Sequence, residues 1–210
     1  MKYFRTFIFM FLGFTLAGGS HAVHARSVYG MIDLTPASIL ISPDIEGFRV
    51  SRTSSSRYLT TTYTEEIEGF ASLVPMARAG IRFDFKTGAA DILAGGGFLW
   101  NEAFYAPLVT VESRLRFRVG RVVTLGPHLS YYMISEPTWD GIADVSFSDT
   151  SGMDIGVGLY VGRGRVAFNG ALSYLFLSPL DVTTGGGWVP SDHEVDLSGV
   201  LLRLGVTFAL

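Results

Sequence analysis

The sequence predicts an all-β fold, an eight-stranded antiparallel up-and-down transmembrane β-barrel, and three observations carry that expectation. Apolar residues recur at every second position through several long segments. Mean hydropathy is +0.35, yet after residue 25 no apolar run reaches the roughly 18 residues of a membrane helix. The connections between the alternating segments are very short at one end and long at the other.

The chain opens with Lys2 and Arg5, an apolar run from Phe7 to Ala17, small residues, and then "SHAVHA". A charged start, a short apolar middle and a small-residue cleavage site form the layout of a secretory signal peptide over residues 1–25. Cleavage fits after Ala22 or Ala25, the latter preferred, and the apolar stretch is short for a membrane anchor. Residues 26–210 then form one barrel domain. Without Lys2 and Arg5, 14 basic residues face 19 acidic ones, a net charge of −5. That balance argues against a nucleic-acid partner. The absence of cysteine excludes disulfides, thiol chemistry and cysteine metal sites.

The clearest strand is "VTVESRLRFRV". Val109, Val111, Leu115, Phe117 and Val119 share one face, and Thr110, Glu112, Arg114, Arg116 and Arg118 share the other. After a "GR" turn, Val123, Leu125, Leu129, Tyr131 and Met133 alternate with Thr124, His128, Ser130 and Tyr132, completing a hairpin. The same period appears in "RAGIRFDFK", in "DIGVGLYVG" and in the last segment, where Val200, Leu202, Leu204, Val206, Phe208 and Leu210 oppose Arg203, Gly205 and Thr207. The strands predicted are 27–41, 68–86, 91–100, 107–119, 121–135, 153–162, 165–178 and 194–210. "KTGAA", "GR" and "GRG" are tight turns. Residues 42–67, 136–152 and 179–193 are long loops, and 101–106 is intermediate. A soluble sandwich or lipocalin-like barrel would turn its apolar faces inward. Closely spaced arginines on the polar faces, tryptophans only at the long-loop end, and the alternating turn lengths favour the membrane barrel.

On these residues the chain resembles the small eight-stranded outer-membrane β-barrels of Gram-negative bacteria, typified by the OmpA membrane domain, OmpX, OmpW and the opacity proteins. The resemblance is one of pattern over the whole mature chain. Its most specific element is the family's C-terminal assembly signal, whose places are filled by Arg203, Gly205, Phe208 and Leu210; the family usually ends on phenylalanine. "LGPHLSYYM" (Leu125–Met133) also looks like a strand phrase of the family. The resemblance implies an outer-membrane location, contact with outer-membrane lipid and lipopolysaccharide, and insertion by the barrel assembly machinery. It implies no cofactor, and no peptidoglycan-binding domain follows the barrel.

If the apolar faces meet lipid, the opposite faces line the lumen. Near the short turns this places Arg78, Arg82, Asp84, Glu112, Arg114, Arg116, Arg118, His128 and Arg203 inside, a set in which cations outnumber acids. Such charges must be paired or hydrated. They read as an ion-pair plug, with an anion-selective constriction as the alternative. Near the long loops the same parity places Ile39, Ile41, Phe70, Val74, Met76, Leu108, Tyr132, Ile134, Leu175, Leu177, Leu197 and Leu201 inside. These read either as a closed packed core or as an apolar pocket that binds or passes a small hydrophobic ligand. The functional expectation is a non-enzymatic, porin-like barrel handling such a ligand, the alternative being a structural or adhesive role of loops 42–67 and 136–152.

Two barrel families act on lipid A. His128 and Ser130 have the spacing of a deacylase pair, but Tyr131 stands where that family has Asn, and parity turns them into the lumen. Ser191, Asp192 and His193 are the only cluster comparable to a palmitoyl transferase's, and adjacent residues rarely make a working site. The acidic loops, with Glu65, Glu66, Glu68, Glu136, Asp140, Asp144 and Asp149, match no calcium motif and read as solvated. "GVGLYVG" (Gly156–Gly162) lies within a strand, so it is no dinucleotide loop, and its glycines make room for lumen aromatics.

Overall fold

The computed structural model describes residues 27–210, so the signal-peptide expectation falls outside the described residues. Eight long strands form the wall: β1 Ser27–Ile41, β2 Met76–Asp84, β3 Gly88–Trp100, β4 Phe104–Arg118, β5 Val123–Ile134, β6 Thr150–Arg163, β7 Val166–Leu177 and β8 Gly199–Ala209. Each pairs antiparallel with its sequence neighbour, and β8 pairs with β1, so the sheet closes without an edge. The short turns and both ends of the described chain lie at one rim.

The faces are inverted relative to a soluble barrel. Val109, Val111 and Phe117 of β4, Ile155, Val157 and Leu159 of β6, and Val200, Leu202 and Leu204 of β8 are exposed on the outer wall. Thr110, Glu112, Arg114, Arg116 and Arg203 are buried inside. An apolar exterior around a charged interior is the arrangement of a transmembrane barrel, and it overturns the soluble-sandwich alternative.

Three departures from the predicted strands have local causes. The strand expected over 68–86 is broken at Val74-Pro75 into Ala71–Leu73 and β2, because proline has no N–H to offer the ladder. β1 carries a bulge between Leu34 and Ala37, at Pro36. Below it Met31, Asp33 and Thr35 face inward; above it Ser38 and Leu40 do. The extra residue shifts the phase by one, so Ile39 faces outward and Ile41 shares its phase, against expectation. The last strand begins at Gly199 rather than 194, because Glu194–Val195 pairs with Leu180–Thr184 in the loops.

The long loops are folded. Arg49–Ser55 and Thr60–Glu66 form a hairpin whose first strand also pairs with Val189–Pro190. Thr138–Trp139 extends the top of β4, and Val145–Phe147 joins it to Leu180–Thr184. Together they cap the barrel.

Candidate functional site: the lumen and its cap

Every wall strand sends a polar side chain into one buried network. Glu112 of β4 is its centre, accepting from Arg78 Nη1 and Arg114 Nε, and from Arg203 Nη1 at 2.7 Å. Asp33 of β1 accepts from Arg78 Nη2 at 2.5 Å, Arg114 Nη1 at 2.8 Å, Thr207 Oγ1 at 2.7 Å and Asn169 Nδ2 at 3.1 Å. Asp91 of β3 takes a two-pronged contact from Arg82, at 2.6 and 2.8 Å, and one from Arg116 at 3.2 Å. Asp154 of β6 accepts from Ser173 Oγ at 2.9 Å and lies 3.5 Å from Arg203 Nη2 and 3.6 Å from His128 Nε2. Charges taken out of water are tolerable only when paired in this way. Two-pronged contacts explain the use of arginine, since an ammonium offers no planar fork.

Seven of the nine residues predicted for the network lie in it: Arg78, Arg82, Glu112, Arg114, Arg116, His128 and Arg203. Arg118 is instead exposed at the short-turn rim, and Asp84 accepts from Tyr29 Oη at 3.2 Å near that mouth, because both stand where the wall ends. The excess of cations was overstated. Asp33, Asp91 and Asp154 supply the missing acids, so four buried carboxylates meet five buried arginines. Their inward phase was a readable signal for Asp91 and Asp154; that of Asp33 depends on β1 below the bulge. Tyr160 was also missed: Arg116 stacks over its ring at 3.8 Å and Arg114 at 5.6 Å. The Tyr160 hydroxyl lies 2.6 Å from where a Cβ on Gly158 would sit, so that glycine does make room for a lumen aromatic.

Of the twelve residues predicted to line the upper lumen, nine are buried and point inward: Val74, Met76, Leu108, Tyr132, Ile134, Leu175, Leu177, Leu197 and Leu201. Ile39 and Ile41 are turned by the bulge, and Phe70 is 47% exposed because it lies in the loop above the Val74-Pro75 break. The nine belong to one apolar cluster with side chains the loops insert from above, among them Ile45, Phe48, Val50, Ile67, Val182 and Trp188. Phe48, Trp139, Phe147 and Phe104 add a run of tilted and edge-on ring contacts, with centroids 5.8 to 6.4 Å apart. The sequence alone could not place loop side chains inside the wall.

The loops are not merely solvated. The Glu65 carboxylate accepts from Trp139 Nε1 at 2.7 Å and from the backbone of Ile142 and Ala143, and Glu102 accepts from the amides of Glu68 and Gly69. Charge is sorted along the barrel axis. Residues 42–75, 101–103, 135–149 and 178–198 hold 14 acids against Arg49, Arg52 and Arg57. The opposite rim presents Lys86, Arg118, Arg121 and Arg165. A polar recess of about 370 Å³ opens at that rim, lined by Tyr29, Arg82, Asp84, Arg116, Arg118 and Tyr160 among others.

His128 and Ser130 are buried in the lumen, and Ser191 and Asp192 lie in an exposed cap turn with His193. Neither group lines the recess at the short-turn rim. Among the described residues no group of three or more His, Cys, Asp or Glu side chains could hold a metal ion. Of the assembly-signal positions, Arg203 is in the network, Gly205 abuts the β1 backbone at Leu34 and Thr35, and Phe208 pairs with Ile32. Leu210 donates its amide to the Gly30 carbonyl at 2.9 Å.

No protein-family model matches the chain, and no curated protein does. Among solved structures it is similar to Neisserial surface protein A (NspA), at 12% identity over 87% of this chain and 97% of that one, with a TM-score of 0.43. It is similar to Ail, the attachment invasion locus protein of Yersinia pestis, at 12% identity over 87% and 99%, with a TM-score of 0.35. A third similarity is to the outer membrane protease OmpT of Escherichia coli, at 7% identity over 91% and 99%, with a TM-score of 0.37. Likenesses this distant carry no argument about function.

Proposed function

We propose that this chain is an integral outer-membrane barrel, exported on the leader predicted in residues 1–25, whose wall is a sealed scaffold for a folded, acidic surface cap. One observation carries the reading: beyond the polar recess at the short-turn mouth, side chains occupy the lumen. Paired arginines and carboxylates fill the lower half, and wall and loop side chains pack together in the upper half. The apolar residues expected to hold a small hydrophobic ligand are part of that packed cluster, which favours the surface role over passage. The reading is non-enzymatic, supported by the burial of His128 and Ser130 away from lipid and loops.

Planar-bilayer recording tests it. The purified barrel is expected to show no steady unitary conductance, and N-phenylnaphthylamine is expected not to bind in the lumen. A stable channel, or saturable probe binding abolished by Tyr132→Trp, restores the passage reading. Lipid A from an overexpressing strain is expected to be unchanged in mass; a deacylated or acylated product overturns the non-enzymatic part.

A further inference from the structure

The polar recess at the short-turn rim exists because the inward phase of three strands carries no bulk there. Ala89 of β3, Gly162 of β6 and Ala167 of β7 stand two residues nearer the rim than Asp91, Tyr160 and Asn169, in the same phase, and all three line the recess. The β4–β5 hairpin supplies its charge. Arg116 and Arg118 share the inward phase of β4, Thr124 stands opposite Arg118 in the ladder, and Arg121 lies in the turn between the strands.

Arg116 is 5% exposed and stacked over Tyr160 at 3.8 Å, which fixes its guanidinium. Its Nε donates to Thr124 Oγ1 at 3.3 Å and its Nη1 to Asp91 at 3.2 Å. Nη2 has no partner among the described residues, and the side chain reaches the recess. Thr124 Oγ1 accepts the Nε bond and so keeps its own proton to give. Arg118 and Arg121 are exposed and form no ion pair among the described residues. Asp84, the one acid lining the recess among the described residues, takes the Tyr29 hydroxyl at 3.2 Å. Asp91 lies behind, clamped by Arg82 and Arg116. Arg82, Arg116, Arg118 and Arg121 therefore exceed Asp84 and Asp91 by two charges.

We infer that this recess binds a phosphate dianion from the periplasmic side, as inorganic phosphate or as the monoester of a small polar molecule. Arg116 Nη2, the guanidinium groups of Arg118 and Arg121, and the Thr124 hydroxyl are its donors. Guanidinium forks match the oxygens of a phosphate. A dianion neutralises the two-charge surplus, whereas a carboxylate or a phosphodiester headgroup neutralises half of it. The volume, about 370 Å³, falls in the range of small-molecule sites and leaves room beside the phosphate. The rings of Tyr29 and Tyr160 are already engaged by Arg82 and Arg116, at 5.8 and 3.8 Å, which favours a polyol over a nucleotide base as the esterified group. The site lies at the opposite end of the barrel from the cap, so its failure leaves the surface reading standing.

The test is calorimetric titration of the full barrel in maltoside micelles with inorganic phosphate and with glycerol 3-phosphate, at low salt and slightly alkaline pH. One saturable site is expected. Tighter binding of glycerol 3-phosphate assigns the site to a monoester, and equal binding assigns it to free phosphate. Arg118→Gln and Arg121→Gln are each expected to weaken binding about tenfold, the loss of one charge-assisted hydrogen bond. Lys86→Gln and Arg165→Gln remove the same charge from the same rim outside the recess and are expected to leave the affinity unchanged. Ala167→Met obstructs the recess without removing a charge and is expected to abolish binding. Each variant is first checked for heat-modifiable mobility, and Ala89→Met replaces Ala167→Met if the latter does not fold. No saturable binding, equal losses from the Lys86 and Arg165 variants, binding indifferent to the obstructing variant, acetate bound as tightly as phosphate, or displacement of glycerol 3-phosphate by phosphatidylglycerol would each overturn the inference.

Discussion

Glu65 and Trp139 meet across 74 positions of sequence: the carboxylate of the first loop accepts the indole N–H of the third at 2.7 Å. The same carboxylate holds the amides of Ile142 and Ala143. Glu65→Ala strands three donors at once, and hydrogen bonds to a charged group contribute about 1.5–3 kcal/mol each at most. The expected outcome is a cap that is cut by protease within residues 42–67 and 136–149 while the wall keeps its heat-modifiable mobility. Protection equal to the wild type would show that the aromatic cluster alone holds the cap.

Glu112 has the opposite reach, binding only wall residues. Its removal leaves Arg78, Arg114 and Arg203 without their shared acid. Breaking one side of a buried pair costs about 3–5 kcal/mol, so Glu112→Ala is expected to lower the guanidinium midpoint markedly or to prevent barrel formation. Glu65→Ala should do neither. An unchanged midpoint for Glu112→Ala would mean that water enters the lumen freely and screens the arginines.

The bulge at Pro36 is expected to matter through its count of residues more than its ring. Pro36→Ala keeps the phase of both halves of β1 and should assemble normally. Deleting Pro36 turns one half of β1 over, placing either Asp33 in lipid or Leu40 outside the apolar cluster. Loss of the heat-modifiable band in the deletion alone is the outcome to look for. Normal assembly of the deletion would show that the bulge migrates.

Gly158 tests the lower lumen. A valine there would push on the Tyr160 hydroxyl, 2.6 Å from the new Cβ, and so on the guanidinium of Arg116 stacked over the ring. Overpacking costs about 1–3 kcal/mol. Gly158→Val is therefore expected to lower the unfolding midpoint, and combining it with Tyr160→Ala should recover part of the loss. No recovery would locate the strain in the strand backbone instead.

The sequence by itself determined the wall. Period-two alternation is a local property of a pleated strand, so "VTVESRLRFRV" already separates Val109 and Phe117 from Glu112 and Arg116. Short turns against long loops gave the order of the strands. Only tertiary structure decided which charges meet, because Asp33 and Arg114 stand 81 positions apart and come together through closure of the barrel. It also decided the phase of Ile39, since one extra residue in β1 reverses every side chain above it while leaving an apolar stretch that reads the same. The fate of the upper lumen was equally hidden. Leu175 and Leu197 line a cavity or a core depending on whether Ile45, Phe48 and Trp188 fold down onto them, and loop side chains carry no periodicity from which that could be read.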